Sequence, residues 1–144
     1  MKKNKKVTSR IEKLCAENGV KFTHQRRIIA EVISNSDDHP DANEVYIRAN
    51  KIDPRISLAT VYRTIKLFEE YNVLNRIELG GKRARYEELT DNHHDHLIDV
   101  DTGEIIEFLD NKIEELQKKV AKKHGYLLVD HKMELFGKKI DKTK

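Results

Sequence analysis

Ser57-Leu58-Ala59-Thr60-Val61-Tyr62-Arg63-Thr64-Ile65-Lys66-Leu67-Phe68 is the stretch whose reading decides the fold. Ser57 is a favourable N-cap, because its hydroxyl can accept from a free backbone N–H of the first turn. Leu58, Val61, Ile65 and Phe68 then recur at steps of three and four, which places them on one face of a helix running to about Tyr71. Leu58, Val61 and Ile65 are expected to anchor this helix to a core, leaving Ala59, Tyr62, Arg63 and Lys66 outward. A polar-ended helix of this kind suits a DNA major groove. Arg63 can pair bidentately with guanine, Tyr62 can lie against a thymine methyl, and Ser57 and Thr60 can bond phosphates. A solvated helix face is the plainer reading of the same side chains.

Working backwards, three further helices precede it. Ser9 caps a short one carrying Ile11, Leu14 and Cys15, which Asn18-Gly19 ends. Thr23 caps a second with Ile28, Ile29, Val32 and Ile33 on its buried side. Asp41-Ala42-Asn43-Glu44 has the spacing of a capping box and opens a third with Val45, Tyr46 and Ala49. Asp53-Pro54 breaks the chain. Working forwards, Val73–Leu79 and Arg83–Glu87 flank Gly80-Gly81-Lys82, a hairpin signal. Helices followed by a basic hairpin give the outline of a winged helix. Arg26, Arg27, Lys82, Arg83 and Arg85 are candidate phosphate contacts.

Charge follows the same division. Residues 1–86 hold 18 Lys and Arg against 11 Asp and Glu, and residues 87–144 hold 10 against 14. A basic front and an acidic back point to a polyanion as the partner of the front. Met1–Lys6 reads as a basic arm with no apolar stretch behind it, and no run reaches the ~20 apolar residues of a membrane span. The lone Cys15 rules out a disulfide framework within the chain and fits a reducing cytoplasm.

The back half opens on His93-His94-Asp95-His96, four consecutive metal-ligand types. If the run is extended, His93 and Asp95 face one way and His94 and His96 the other, so one segment can serve two sites. His96–Val100 and Glu104–Phe108 read as paired strands around Asp101-Thr102-Gly103. Asp110 caps a helix with Ile113, Leu116 and Val120 in a stripe and Gly125 at its end. Tyr126–His131 reads as a third strand. Some 50 residues are too few to cover such a sheet, so this half is expected to dimerise. The expected organisation is α+β: an N-terminal winged-helix (helix-turn-helix) domain over residues 1–86, a hinge over 87–92, and a small α/β dimerisation and metal-binding domain over 93–144.

Leu58–Thr64, then His93-His94-Asp95-His96-Leu97-Ile98, Gly103-x-x-Ile106-Glu107-Phe108 and Asp130-His131 occur in an order that resembles the ferric uptake regulator (Fur) family. The resemblance covers roughly Ile11 to Gly137. It implies a dimeric, cytoplasmic, metal-dependent repressor that binds palindromic double-stranded operators and controls iron or manganese homeostasis. It implies a regulatory metal site at the junction of two domains, here His39, Glu87, His96 and Glu107 with His94. It implies a second site in the dimerisation domain, His93, Asp95, Glu114 and His131. Fe(II) or Mn(II) is the expected physiological metal, and Zn(II) would bind such all-N/O sites in vitro. Many members carry Cys-x-x-Cys pairs for a structural zinc. The corresponding segment here, Leu97–Gly103, has no cysteine, and its Asp99 is similar to the iron- or manganese-responsive Fur/Mur branch of alphaproteobacteria. Taken singly, His39, Glu87 and Glu114 are ordinary loop, hairpin and helix charges. His24 and His124 match no role.

Two alternatives stand beside this reading. His93-x-Asp95-His96 overlaps part of a metallohydrolase signature, with Asp91 where a first histidine belongs. A metal-buffering protein would bind metal without reading DNA.

Overall fold

The computed structural model describes residues 9–79, 83–89 and 93–141. The chain divides into two compact units, Met1–Thr90 and Asp91–Lys144. The basic arm, the expected turn at Gly80-Gly81-Lys82 and residues 90–92 of the expected hinge lie outside the described residues.

The first unit holds α1 (Arg10–Glu17), α2 (His24–Ser34), α3 (Ala42–Ile52), α4 (Leu58–Glu70), β1 (Leu74–Ile77) and β2 (Arg85–Glu88). Each helix starts where a side-chain oxygen takes up a free N–H: Ser9 from Glu12, Thr23 from Arg26, Asp41 from Glu44 and Ser57 from Thr60. The α3 start is a complete capping box, since the Glu44 carboxylate also accepts from the Asp41 N–H at 2.9 Å. The apolar faces meet in one core, including Ile11, Cys15, Ile29, Ile33, Val45, Ala49, Val61, Ile65 and Phe68. Leu58 corrects the sequence reading. It is 39% exposed, and the buried positions of the helix are Val61, Thr64, Ile65 and Phe68. At the N-terminus of a helix the apolar stripe has not yet turned fully onto the core.

Two of these helices end in Schellman turns. After α1, Gly19 takes φ +77°, and the Val20 N–H reaches the Cys15 carbonyl. After α4 the left-handed position is Asn72 (φ +56°), and the Val73 N–H reaches the Phe68 carbonyl at 3.1 Å. Asparagine tolerates this conformation better than other residues with a Cβ. The turn delivers the chain directly into β1, which pairs antiparallel with β2. The loop before α3 joins this ribbon: the Tyr86 N–H donates to the Pro40 carbonyl, and Asp41 bridges Arg85.

The second unit holds β3 (Asp95–Asp99), β4 (Ile105–Phe108), α5 (Asn111–Lys123) and β5 (Glu134–Gly137). The sheet order is β4-β3-β5, antiparallel between β3 and β4 and parallel between β3 and β5. The expected third strand at Tyr126–His131 is corrected. That segment pairs with no strand, Tyr126, Leu127 and Val129 are 72, 87 and 91% exposed, and the strand is formed by Glu134–Gly137 instead. An apolar run carries β propensity, but a ladder needs a partner within reach, and β3 takes the later segment. Among the described residues, Ile98 is the one fully buried apolar side chain of this unit. Ile113 is half-buried, and Leu116 and Val120 are 61 and 55% exposed.

Candidate metal centres and nucleic-acid interface

The second unit brings His93, Asp95, Glu114 and His131 together, with one ligand atom from each within 4.8 Å of the others. Asp95 opens β3, Glu114 lies in the first turn of α5, and His131 precedes β5 by three residues. His93 Nε2 and His131 Nε2 each lie 3.2 Å from Asp95 Oδ1, and 3.5 and 3.4 Å from Glu114 Oε2. Asp95 is 1% exposed, and its Oδ2 is buried without a hydrogen bond, as is Glu114 Oε2. Gln117, one turn further along α5, has a buried Oε1 in the same condition. Buried acceptors with no donor are costly unless a cation answers them. Two imidazoles and two carboxylates are a donor set for a divalent first-row metal, so the residues fit the ion the sequence implies.

The other side of the same segment carries His94 and His96, whose rings meet edge to face at 4.9 Å between centroids. His96 is 2% exposed and stands opposite Glu107 of β4 in the ladder. His94 Nε2 lies 3.6 Å from Glu107 Oε2. The two-residue period of an extended chain is what separates this set from the first.

In the first unit His39 and Glu87 form a pair of their own. His39 Nε2 lies 2.9 Å from Glu87 Oε1, with side chains 10 and 14% exposed. His39 adopts φ +53°, a left-handed conformation rare for a residue with a Cβ. Its carbonyl receives Arg85 Nη1 at 3.4 Å. Glu87 sits within β2, and its second oxygen accepts from Asn75 Nδ2 at 2.9 Å. Asp38, beside His39, is held below the usual carboxylate range by its hydrogen bonds to Arg48.

The cysteine-free turn after β3 is organised by Asp99. Its Oδ1 accepts from the N–H groups of Asp101 (2.8 Å) and Thr102 (3.2 Å), which lowers its pKa. Gly103 completes the turn at φ +82°.

On α4, Ala59, Tyr62, Arg63 and Lys66 are exposed and Thr60 is half-buried. Ser57 Oγ donates to Thr60 Oγ1, and Arg63 Nη2 donates to the same oxygen at 3.3 Å. Thr23, Gln25 and Arg26 at the start of α2 line a groove with Thr60, Arg63 and Thr64. Two capped helix N-termini therefore share one groove, a favourable setting for phosphate. Arg83 is exposed and lies against Asn43, whose amide oxygen, turned toward it, accepts at 2.9 Å, while the Tyr62 hydroxyl lies 3.4 Å from that amide. Arg85 is half-buried, and Lys82 lies outside the described residues. Arg27 differs from its expected role. Its guanidinium donates from Nε and Nη2 to Glu12 on α1, and the contact raises its pKa. Asn43 and Asn75 carry no sequence motif, and only their partners across the fold, Arg83 and Glu87, single them out. His24 lies 3.9 Å from the buried Asp53, and His124 is the exposed C-cap of α5.

Four capped helices feeding a two-stranded ribbon, followed by a small α/β unit rich in His, Asp and Glu, define a winged-helix regulator with metal-binding capacity. The sequence profile of the ferric uptake regulator family matches residues 17–136, and the chain belongs to that family. The chain is similar to the "Ferric uptake regulation protein" of Rhizobium leguminosarum bv. viciae, with 49% identity over 131 residues, 91% of this chain and 92% of that one. Among solved structures it is similar to a "zinc-bound manganese uptake regulator", with 48% identity, a TM-score of 0.69, and coverage of 90% of this chain and 98% of that one. The manganese-containing ferric uptake regulator of Pseudomonas aeruginosa superposes with a TM-score of 0.79 at 34% identity, covering 88 and 96% of the two chains. The protein is accordingly a metal-responsive transcriptional regulator of this family and not an enzyme, which sets the metallohydrolase alternative aside.

Proposed function

We propose that the protein is a repressor that binds palindromic operators as a homodimer in the cytoplasm when Fe(II) or Mn(II) is plentiful. His39, Glu87, His94, His96 and Glu107 form its regulatory site, and His93, Asp95, Glu114 and His131 its second site. The observation that carries this reading is the position of the His39–Glu87 pair. His39 belongs to the loop that caps α3 and bridges to β2, and Glu87 belongs to β2 itself. A ligand held there bears directly on the hairpin and, through the Asp41 cap, on α3. His94, His96 and Glu107 supply a matching half-set on the second unit. A divalent ion held there would supply the positive charge that draws these carboxylates and imidazoles into one set. Protein side chains do the rest: Arg63 and Tyr62 address bases, and Arg26, Arg83 and Arg85 address phosphates.

Dimerisation is supported by the apolar surface that the second unit leaves open: Ile106, Leu109, Leu116, Val120, Leu127 and Val129 are all exposed in the single chain. The two recognition helices of such a dimer would read half-sites about one helical turn, ~34–36 Å, or a multiple apart. No helix among the described residues is long and apolar enough to cross a membrane.

Anaerobic fluorescence anisotropy tests the reading, using an AT-rich palindrome from the gene's own promoter at fixed salt. Mn(II) or Fe(II) is expected to tighten binding ~5–150-fold over chelator on the palindrome and not on a scrambled duplex. Saturating operator is expected to tighten metal binding by the same factor. Equal operator binding with and without metal by the wild type, when Glu87→Ala also changes nothing, would remove the regulatory role.

A further inference from the structure

We infer that Asn75 is a positioning residue for the metal ligand Glu87, and the inference rests on the regulatory-site reading above. Asn75 and Glu87 stand directly opposite each other in the β1–β2 ladder. The Asn75 amide donates to Glu87 Oε2 at 2.9 Å, while Glu87 Oε1 faces His39 Nε2 at the same distance. One oxygen is therefore held by the ribbon and the other is presented to the imidazole. With its side chain 14% exposed, the carboxylate has little water to orient it, so these contacts fix its rotation.

The residue type is informative. Asparagine is depleted in strands, because its side chain competes for backbone hydrogen bonds. In the four-residue strand Leu74-Asn75-Arg76-Ile77 it is a poor β-former, set directly across the ribbon from Glu87. What it supplies is a donor without charge. The next residue shows the contrast: Arg76 neutralises Glu69 and Glu78 in ion pairs. A guanidinium facing Glu87 would cancel the negative charge that a cation needs. An amide orients the carboxylate and leaves that charge intact. Groups that orient a ligand in this way typically govern metal affinity by 10–100-fold.

The experiment uses full-length protein with the second site silenced by His131→Ala, and Co(II) as the probe. Visible ligand-field absorption reports coordination, titration reports affinity, and the melting curve of the metal-free protein reports folding. In this background Asn75→Leu, equal in side-chain heavy-atom count and branching but without a donor, is expected to weaken Co(II) binding about 10- to 100-fold and to alter the band envelope, with the metal-free protein still melting cooperatively. Asn75→Gln, which restores an amide one methylene further out, is expected to recover part of the affinity. Parental affinity and spectrum in Asn75→Leu would overturn the inference, and so would a loss that Asn75→Gln does not relieve. If the His131→Ala parent shows no Co(II) spectrum that Glu87→Ala abolishes, the regulatory-site reading itself fails, and the inference fails with it.

Discussion

His93 Nε2 and His131 Nε2 lie 2.9 Å apart, although 38 residues separate them in the chain. Both face Asp95, whose second oxygen has no hydrogen bond. Such a constellation is held together best by a cation. His131→Ala is expected to lower the number of Mn(II) or Zn(II) ions bound per chain by one, as counted by calorimetric titration. It is also expected to remove this site's share of the metal-dependent thermal stabilisation, which for a single site at 100-fold excess over Kd amounts to about 2.7 kcal/mol. Unchanged stoichiometry would mean the cluster holds no ion.

Arg63 and Arg27 make a paired test of the nucleic-acid interface. Arg63 is exposed on α4, whereas Arg27 is committed to Glu12. Arg63→Ala should cost about 1–3 kcal/mol of discrimination between operator and scrambled DNA. Arg27→Ala should leave operator affinity and its salt slope nearly unchanged and reduce stability by less than ~1 kcal/mol, since the pair is partly exposed. Anisotropy at several salt concentrations, with urea melts alongside, separates the two.

Asp41 joins the cap of α3 to the loop bearing His39. Removing the cap with Asp41→Ala should destabilise the first unit by ~1 kcal/mol in denaturant melts. Because the same loop carries a proposed ligand, regulatory-site metal affinity should fall as well. A stability loss with unaltered metal affinity would show that cap and ligand are independent.

Asp99 gives a dependence on pH with a definite sign. Its pKa is lowered by the N–H groups of Asp101 and Thr102, so the folded state favours the charged form. That contribution is complete above the unfolded carboxylate value of ~3.9 and is lost as pH falls through the depressed folded value. Asp99→Ala should therefore be less stable than the parent near neutral pH, and the difference should narrow in strong acid. Parallel urea melts across that range measure it. A gap that widens on acidification would reverse the assignment.

Leu116 and Val120 lie one turn apart on the exposed stripe of α5. Leu116→Glu is expected to convert a dimer to monomer in sedimentation equilibrium and to reduce operator affinity by orders of magnitude, because each half-site would then be bound singly. A variant that remains dimeric would place the interface on another surface.

Local order determined much of this protein. Periods of three and four, and a Ser, Thr or Asp at each start, are enough to locate the helices, whose stability comes from the packing of their apolar faces. The two-residue period of an extended chain separates His93 and Asp95 from His94 and His96. These features depend on neighbours a few residues away, and the sequence displays them directly. The tertiary structure decided what depends on distant partners. β5 is Glu134–Gly137 rather than the apolar Tyr126–His131, because ladder pairing is a competition between segments that propensity cannot judge. Leu58 is exposed because its helix begins before the core does. Arg27 is drawn to Glu12 rather than left for phosphate, and Asn75 acquires a role only because Glu87 lies across the ribbon. Composition and period establish which face a residue shows, and only the completed fold establishes what that face meets.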